Sequence, residues 1–408
     1  MKSILIILPQ LPYPLQSGGQ IAVYGMIDKL RSTFNITVVC RYDSAVDELM
    51  SLWPDVVIKC FKPSLRSRLY RKSAQFLFKA FLNVYGKLSG SQLSHFDVDD
   101  LFFLEVNKDL IATVNHVLRS NTFDAVQVEF FEYLPLITFL KIEIPSIFVH
   151  HEIRFVRRDR SQLIQVKGDA FQRMMGIYSK NIELGLLREY KKVIAVSDVD
   201  KKLLSTSSGL TSIESSPFPI KPTSSQSQEF SFENKLFFLG GSNHFPNYNA
   251  LEWFVDNCWT DLLDRRSNLK LIVIGSWSPK ARKNFQNVKN MEFLGFVDKL
   301  EDVFKNGIMV VPMLIGSGMR MKIVDAVNFG IPFVTTQVGV EGLPFRNDFD
   351  CFIADSPELF IERLLCLADS PSLQSKFRIN SRNILQADYG YDMLVKTRED
   401  IYHSLLEN

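Results

Sequence analysis

The sequence contains no apolar run approaching the ~20 residues that cross a bilayer as a helix, so a membrane-spanning protein is not expected. Cysteine is sparse and scattered. Cys40, Cys60, Cys258, Cys351 and Cys366 form no C-x-x-C pair, which fits neither a zinc site nor a disulfide framework and points to a reducing compartment. Charge of one sign is also lacking: 47 Lys and Arg stand against 45 Asp and Glu, so nothing global draws the chain to nucleic acid. At the N-terminus, MKSILIILPQLPYP has a short apolar run, Ile4 to Leu8, broken by Pro9 and without a small-residue cleavage site; it reads as a buried strand rather than a leader. The expected location is therefore cytoplasmic. G-x-G-x-x-G, G-x-x-x-x-G-K-[ST] and H-E-x-x-H are all missing, which disfavours a dinucleotide fingerprint, a P-loop NTPase and a zinc peptidase; no metal and no cofactor is expected.

What is present is ordinary globular composition in 408 residues, 46% hydrophobic and 23% charged. A chain of this length is expected to split into two domains of roughly 200 residues. Short apolar runs alternate with helical patterns: Ser3–Pro9, Asn35–Cys40, Asp124–Phe130, Ser146–His150 and Lys192–Ser197 in the first half. Runs apolar on both faces suit parallel strands covered by helices. The polar stretch KPTSSQSQE, Lys221 to Glu229, reads as a linker. The alternation then restarts at Asn234–Gly241, Leu269–Gly275, Asn290–Val297, Gly307–Met313 and Ile331–Thr336. The expected organisation is a first Rossmann-like domain over 1–220, a linker over 221–230, a second over 231–388 and a helix over 389–408. That last helix, spaced by Met393, Val395, Ile401 and Leu405, is expected to pack back on the first domain. Two doubly wound α/β domains would face a central cleft, with ligands at the carboxyl ends of the strands.

Several stretches at strand ends carry candidate chemistry. Gly18-Gly19 precedes an amphipathic helix, where backbone N–H groups approach a bound anion; the plain alternative is a strand-to-helix turn. GSGMRMKIVDA, from Gly316, makes the same offer with Gly316, Ser317 and Gly318, adds Arg320 and Lys322 as cations for a diphosphate, and sets Asp325 at the start of the following helix. An ionised carboxylate accepts only, so Asp325 is suited to the two hydroxyls of a ribose, though complementing a helix dipole is its commoner duty. FVHHEIRFVRRDR follows another strand; His150 or His151 is placed to transfer a proton or orient a hydroxyl, with Glu152, Arg154 and Arg158 holding a polar acceptor. Glu129 ends a neighbouring strand and either reaches the same site or caps the next helix. Between Phe61 and Gly90 seven basic residues and no acid are interleaved with aromatic and aliphatic ones. That stretch reads either as a surface for an anionic membrane or pyrophosphate-bearing acceptor, or as a helix packed on the core by its apolar side.

These pieces, in this order, resemble the family 4 retaining glycosyltransferases of the GT-B fold, the glycosyl transferases group 1 of bacterial polysaccharide pathways. The resemblance spans nearly the whole chain: the Gly-Gly loop at Ser17–Gln20, VHHEIR, KVIAVSDVD, GGSNHFPNYNAL, VIGSW, EFLGFVDKLEDVF and GSGMRMKIVDAVNFGIPFVTTQVGVEGL. It implies a C-terminal domain holding a nucleoside diphosphate sugar as substrate and an N-terminal domain holding a glycan or lipid-linked acceptor. Arg320 and Lys322 would serve the diphosphate, with Gly18 and Gly19 approaching it and His150 or His151 catalytic. Gly316, Ser317, Gly318, Asp325, Glu341 and Phe296 would bind the donor, and Glu129, Glu152, Arg154 and Arg158 the acceptor. Location would be cytoplasmic, peripheral at the inner face of the membrane. The chain departs from the family's pair of glutamates, offering Ser317 or Ile315 where the first is placed, and has Asn243, His244 and Asn247 where an Arg and a Lys are usual. A sugar-nucleotide epimerase and a non-catalytic glycan-binding protein of the same fold are the competing expectations.

Overall fold

The computed structural model describes residues 1–89, 103–164, 170–219 and 230–407. Seven strands form the first sheet: β1 (Ser3–Ile7), β2 (Asn35–Arg41), β3 (Val57–Phe61), β4 (Ala125–Glu129), β5 (Ser146–His150), β6 (Lys192–Ala195) and β7 (Ile213–Ser215). They lie in the order β3-β2-β1-β4-β5-β6-β7, every pairing parallel. The central strands β4 and β5 are buried along their whole length. A parallel sheet clad on both faces needs that, because every side chain meets a helix.

Six strands form the second sheet: β8 (Lys235–Leu239), β9 (Lys270–Ile274), β10 (Met291–Gly295), β11 (Gly307–Val311), β12 (Phe333–Thr335) and β13 (Phe352–Ile353). Their order is β10-β9-β8-β11-β12-β13, again parallel throughout. In each sheet the chain winds outward in one direction and then returns to the centre to wind the other way. The reversal falls between β1 and β4 in the first sheet and between β8 and β11 in the second. Loops that leave the carboxyl ends of those strands diverge there and leave room for a ligand.

The chain divides into two units, Met1–Pro219 with Asp392–Asn408, and Ile220–Tyr391. Of the linker expected over 221–230, residues 221–229 lie outside the described residues. In the first unit, Leu5, Ile7, Val126, Val128, Phe148 and Val193 share a core with Leu110, Val114 and Val117 of the Lys108–Ser120 helix. The Tyr391–Leu406 helix buries Leu394, Val395, Arg398, Ile401, Tyr402 and Leu405. Met393, one of the four apolar positions read from the sequence as its packing face, is instead 49% exposed.

The basic stretch forms one helix, Leu65–Ser89, whose only buried residue is Leu82. The reading in which its apolar side packs on the core is therefore corrected: Leu65, Leu69, Tyr70, Phe76, Leu77, Phe81, Val84 and Leu88 are all exposed. It is tethered by Arg71 to Glu105 at 2.5 Å and by Phe81 and Tyr85 against Phe171. Among the described residues no helix is long and apolar enough to cross a membrane.

Candidate active site

The second unit gathers its polar side chains where the sheet order reverses. After β8 the chain turns through Gly240 and Gly241. Gly240 has φ +153°, and a Cβ there would stand 2.6 Å from Asn247 Cγ, so only glycine admits the close approach. Trp277 Nε1 donates to Gly240 O at 2.7 Å and pins the turn. Asn247, early in the Phe245–Phe254 helix, donates from Nδ2 to Gly241 O at 3.1 Å. Its Oδ1 accepts from Lys322 Nζ at 2.6 Å.

Lys322 belongs to the Met321–Asn328 helix that follows β11, so this bond joins the two loops that flank the reversal point. The ammonium also lies 3.5 Å from Met313 Sδ and 5.6 Å from the centre of the Phe238 ring. An ammonium has three donors, and one hydrogen bond with a weak sulfur contact leaves capacity for an anion. Burial pulls Lys322 down to about 7, with Arg320 repulsion adding to it.

Arg320 occupies a different role from the one expected for it. Its guanidinium is buried, and Nη1 donates to Ser317 O and, at 2.8 Å, to Gly318 O, while Nη2 reaches Val338 O at 3.4 Å. Here it braces the glycine turn and ties it to the Gln337–Val340 segment, rather than standing open beside a phosphate. Gly316 and Gly318 have φ +134° and +77°, and a Cβ on Gly316 would meet Arg320 Nη2 at 2.9 Å. The turn and its arginine are thus packed as one piece, with Ser317 buried inside it.

Asp325 is not at the start of the helix: it lies in the second turn of Met321–Asn328, so the dipole-complementing reading is corrected. Its carboxylate is half-buried and has no side-chain partner among the described residues, and burial pushes it up to about 7. Glu341 follows the Gln337–Val340 turn, where Thr336 Oγ1 accepts from Gly339 N at 2.9 Å and donates to Met313 O. These bonds tie the segment that precedes Glu341 to the β11 loop. Phe296, 45% exposed, follows the edge strand β10 and makes no ring or hydrogen-bond contact with this cluster among the described residues.

In the first unit the two histidines separate completely. His150 Nε2 meets Glu183 Oε1 at 2.9 Å, and both side chains are fully buried. Glu183 also accepts from the backbone N–H of Arg154 and of Phe155, each at 3.0 Å, so it caps the Arg154–Ile164 helix. His150 is a structural residue, and its expected catalytic role is corrected. Glu183, hidden near the C-terminal end of the Ala170–Leu187 helix, is invisible to motif reading; an acid between apolar residues was the one available signal.

His151, 13% exposed, is placed quite differently. Its Nε2 meets Glu129 Oε2 at 2.7 Å, and its ring is stacked on Phe130 at 3.8 Å and on Phe218 at 4.9 Å. Phe130 has φ +68°, and a Cβ on Gly19 would sit 3.2 Å from its ring. The loop after β1, the end of β4 and the end of β5 therefore meet around His151, at the reversal of the first sheet. Glu129 is not a helix cap: its second oxygen accepts from Gln127 Nε2 at 2.7 Å. Gly18 opens the Gly18–Leu30 helix, whose N-cap Ser17 accepts from Gln20 N at 3.2 Å.

The remaining acceptor candidates are engaged within the protein. Arg154 Nη2 is 2.5 Å from Glu132, and its guanidinium stacks over Phe131. Glu152 pairs with Arg157 at 3.0 Å and Arg154 at 3.8 Å, while Arg158 is buried. None of the three stands open as expected. Among the described residues, no three His, Cys, Asp or Glu side chains are grouped to hold a metal ion.

Residues 233–370 match the model of the family described as glycosyl transferases group 1. An uncharacterized 44.6 kDa protein in the cps region of Klebsiella pneumoniae is 20% identical over 400 residues, covering 95% of this chain and 97% of that protein. Sucrose-phosphate synthase from Thermosynechococcus elongatus superposes with a TM-score of 0.72 at 11% identity, covering 100% of both chains. A mutant TarM of S. aureus, in complex with fondaparinux, α-GlcNAc-glycerol and UDP, superposes at 0.68 with 10% identity, again covering 100% of both. The chain accordingly has the GT-B fold, and it is over residues 233–370, the unit that holds Lys322, that it matches the glycosyl transferases group 1.

Proposed function

We propose that the protein is a retaining glycosyltransferase that moves a sugar from a nucleoside diphosphate donor to a glycan or lipid-linked acceptor in surface polysaccharide biosynthesis, without a metal. The observation that carries this reading is the Lys322 ammonium, held by Asn247 between the two loops at the reversal point with donor capacity remaining. When the bond from sugar C1 to the diphosphate breaks, negative charge develops on the departing oxygen. A preorganised cation in a dehydrated setting stabilises that charge best. Asp325, whose carboxylate has no side-chain partner among the described residues, is suited to ribose hydroxyls. In the first unit, His151 is suited to orienting a hydroxyl of the acceptor. UDP in the TarM complex and the cps-region location of the curated relative support the donor class and the pathway.

A thermal-shift panel of UDP, GDP, ADP and CMP tests the donor site, because a ligand that binds only the folded protein raises its melting temperature. One nucleoside diphosphate is expected to stabilise the wild type and not Lys322→Met. No shift with any of them sinks the reading. Consumption of the donor sugar without an acceptor would replace transferase by epimerase. The exposed apolar and basic residues of the Leu65–Ser89 helix support contact with an anionic membrane. Cosedimentation with phosphatidylglycerol vesicles and not with phosphatidylcholine is expected, and equal recovery with both contradicts it.

A further inference from the structure

The environment of His151 is built from a part of the chain far from it in sequence. Glu129 is 2% exposed, and a buried carboxylate must be hydrogen-bonded or neutralised. Its two oxygens receive His151 Nε2 and Gln127 Nε2. A carboxylate only accepts, so the Gln127 amide must turn its NH2 towards Glu129 and its oxygen away. That oxygen accepts from Tyr402 Oη, in the Tyr391–Leu406 helix. Gln127 and Tyr402 are each 1% exposed, so water does not compete for these bonds.

The donors in this chain then follow in order. The Tyr402 hydroxyl donates to Gln127, Gln127 donates to Glu129, and His151 carries its hydrogen on Nε2 where Glu129 receives it. Desolvation raises the Tyr402 phenol, which keeps it a donor. In the neutral imidazole Nδ1 is then the lone-pair nitrogen, and it has no hydrogen-bond partner among the described residues.

The same helix also fixes the ring plane. Arg398, fully buried, donates from Nε to Ser216 Oγ at 2.9 Å and from Nη2 to Ser216 O at 3.2 Å. Its guanidinium lies 5.8 Å from the centre of Phe218, the ring stacked on His151.

We infer that Tyr402 and Arg398 are positioning residues for sugar transfer: through Gln127–Glu129 and Ser216–Phe218 they hold His151 in a single tautomer that presents Nδ1 as an acceptor to a substrate hydroxyl. The inference rests on the glycosyltransferase reading for its catalytic consequence, but not for the tautomer itself.

The test compares wild type with Tyr402→Phe, which removes the hydroxyl and keeps the ring against Phe34. Long-range 1H–15N spectra of imidazole-labelled protein read the tautomer, with His151→Gln assigning the signal, and steady-state kinetics read the transfer. The variant is expected to show a mixed tautomer and a kcat lower by about fivefold, the size of one lost hydrogen bond, with the donor KM unchanged. An unchanged tautomer overturns the inference, and so does an altered tautomer with unchanged kcat in an active enzyme. If the wild type transfers no sugar, the functional reading fails and the spectrum alone decides the relay. Should Tyr402→Phe not fold, Gln127→Met breaks the same chain with an apolar side chain of similar size and is read in the same way.

Discussion

At the scale of single residues, Lys322 carries the largest tension. An ammonium drawn down to about 7 by burial is a cost in the empty protein. The unfolded chain holds its proton up to about pH 10.4, so this group's contribution to stability rises with pH from about 7 up to that value. Lys322→Met is therefore expected to fold with an unchanged or raised melting temperature while losing at least about tenfold in nucleoside diphosphate affinity, the size of a charge-assisted hydrogen bond. Calorimetric titration and thermal melts check both halves. Proton linkage gives a second expectation. A bound diphosphate restores the Lys322 proton, and ribose hydroxyls favour the ionised form of Asp325, itself pushed up to about 7. Binding should thus take up a proton at about pH 8 and release one at about pH 6. Calorimetry in buffers of different ionisation enthalpy reads this, and a pH-independent proton count contradicts it. Motif reading singled out Lys322 and Asp325 but misjudged the surroundings of that stretch. The Arg320 guanidinium is spent on carbonyls, a fact of packing that spacing does not encode.

Between elements, the contacts that matter are caps and turns. Glu183 caps one helix from another while holding His150, so Glu183→Ala leaves two backbone donors and a buried imidazole unmatched. Urea unfolding is expected to show a loss of about 3 kcal/mol, the cost of breaking a buried pair; a loss below about 1 kcal/mol would be at odds with a pair so fully enclosed. Gly316→Ala forces a side chain into a left-handed backbone and against Arg320. It should cost about 1–3 kcal/mol and weaken donor binding. The control is Gly185→Ala in the Ala170–Leu187 helix, where an added Cβ meets nothing within 4 Å. That change should be neutral or stabilising, by about 1 kcal/mol at most. Legibility of the strands followed their burial. The runs at β1, β2, β4, β5, β6, β8, β9, β10, β11 and β12 were readable because most are apolar on both faces. By contrast β3 alternates exposed and buried residues, while β7 and β13 have three and two residues, all at the sheet edges. Edge strands have one neighbour and less need of an apolar run, so sequence carries little trace of them.

For the whole molecule, the first unit is discontinuous, closed by residues 392–408 after an intervening second unit. The sequence suggested the helix by its spacing but not what its buried face does, because Arg398 and Tyr402 read as surface residues until their partners Ser216 and Gln127 are known. A protein lacking residues 392–407 is expected to lose the cooperative melting of the first unit while the second still gains stability from its nucleotide. Differential scanning calorimetry with and without UDP separates the two transitions, and an unchanged first-unit transition would contradict this. The discontinuity also has a consequence for synthesis. A ribosome emits residues 1–219 long before Tyr402, so the first unit waits, with Gln127 and Ser216 unmatched, until residues 392–407 have been made. Assembly of the His151 environment thus follows synthesis of the whole second unit, and a chain stalled within residues 220–391 is without it.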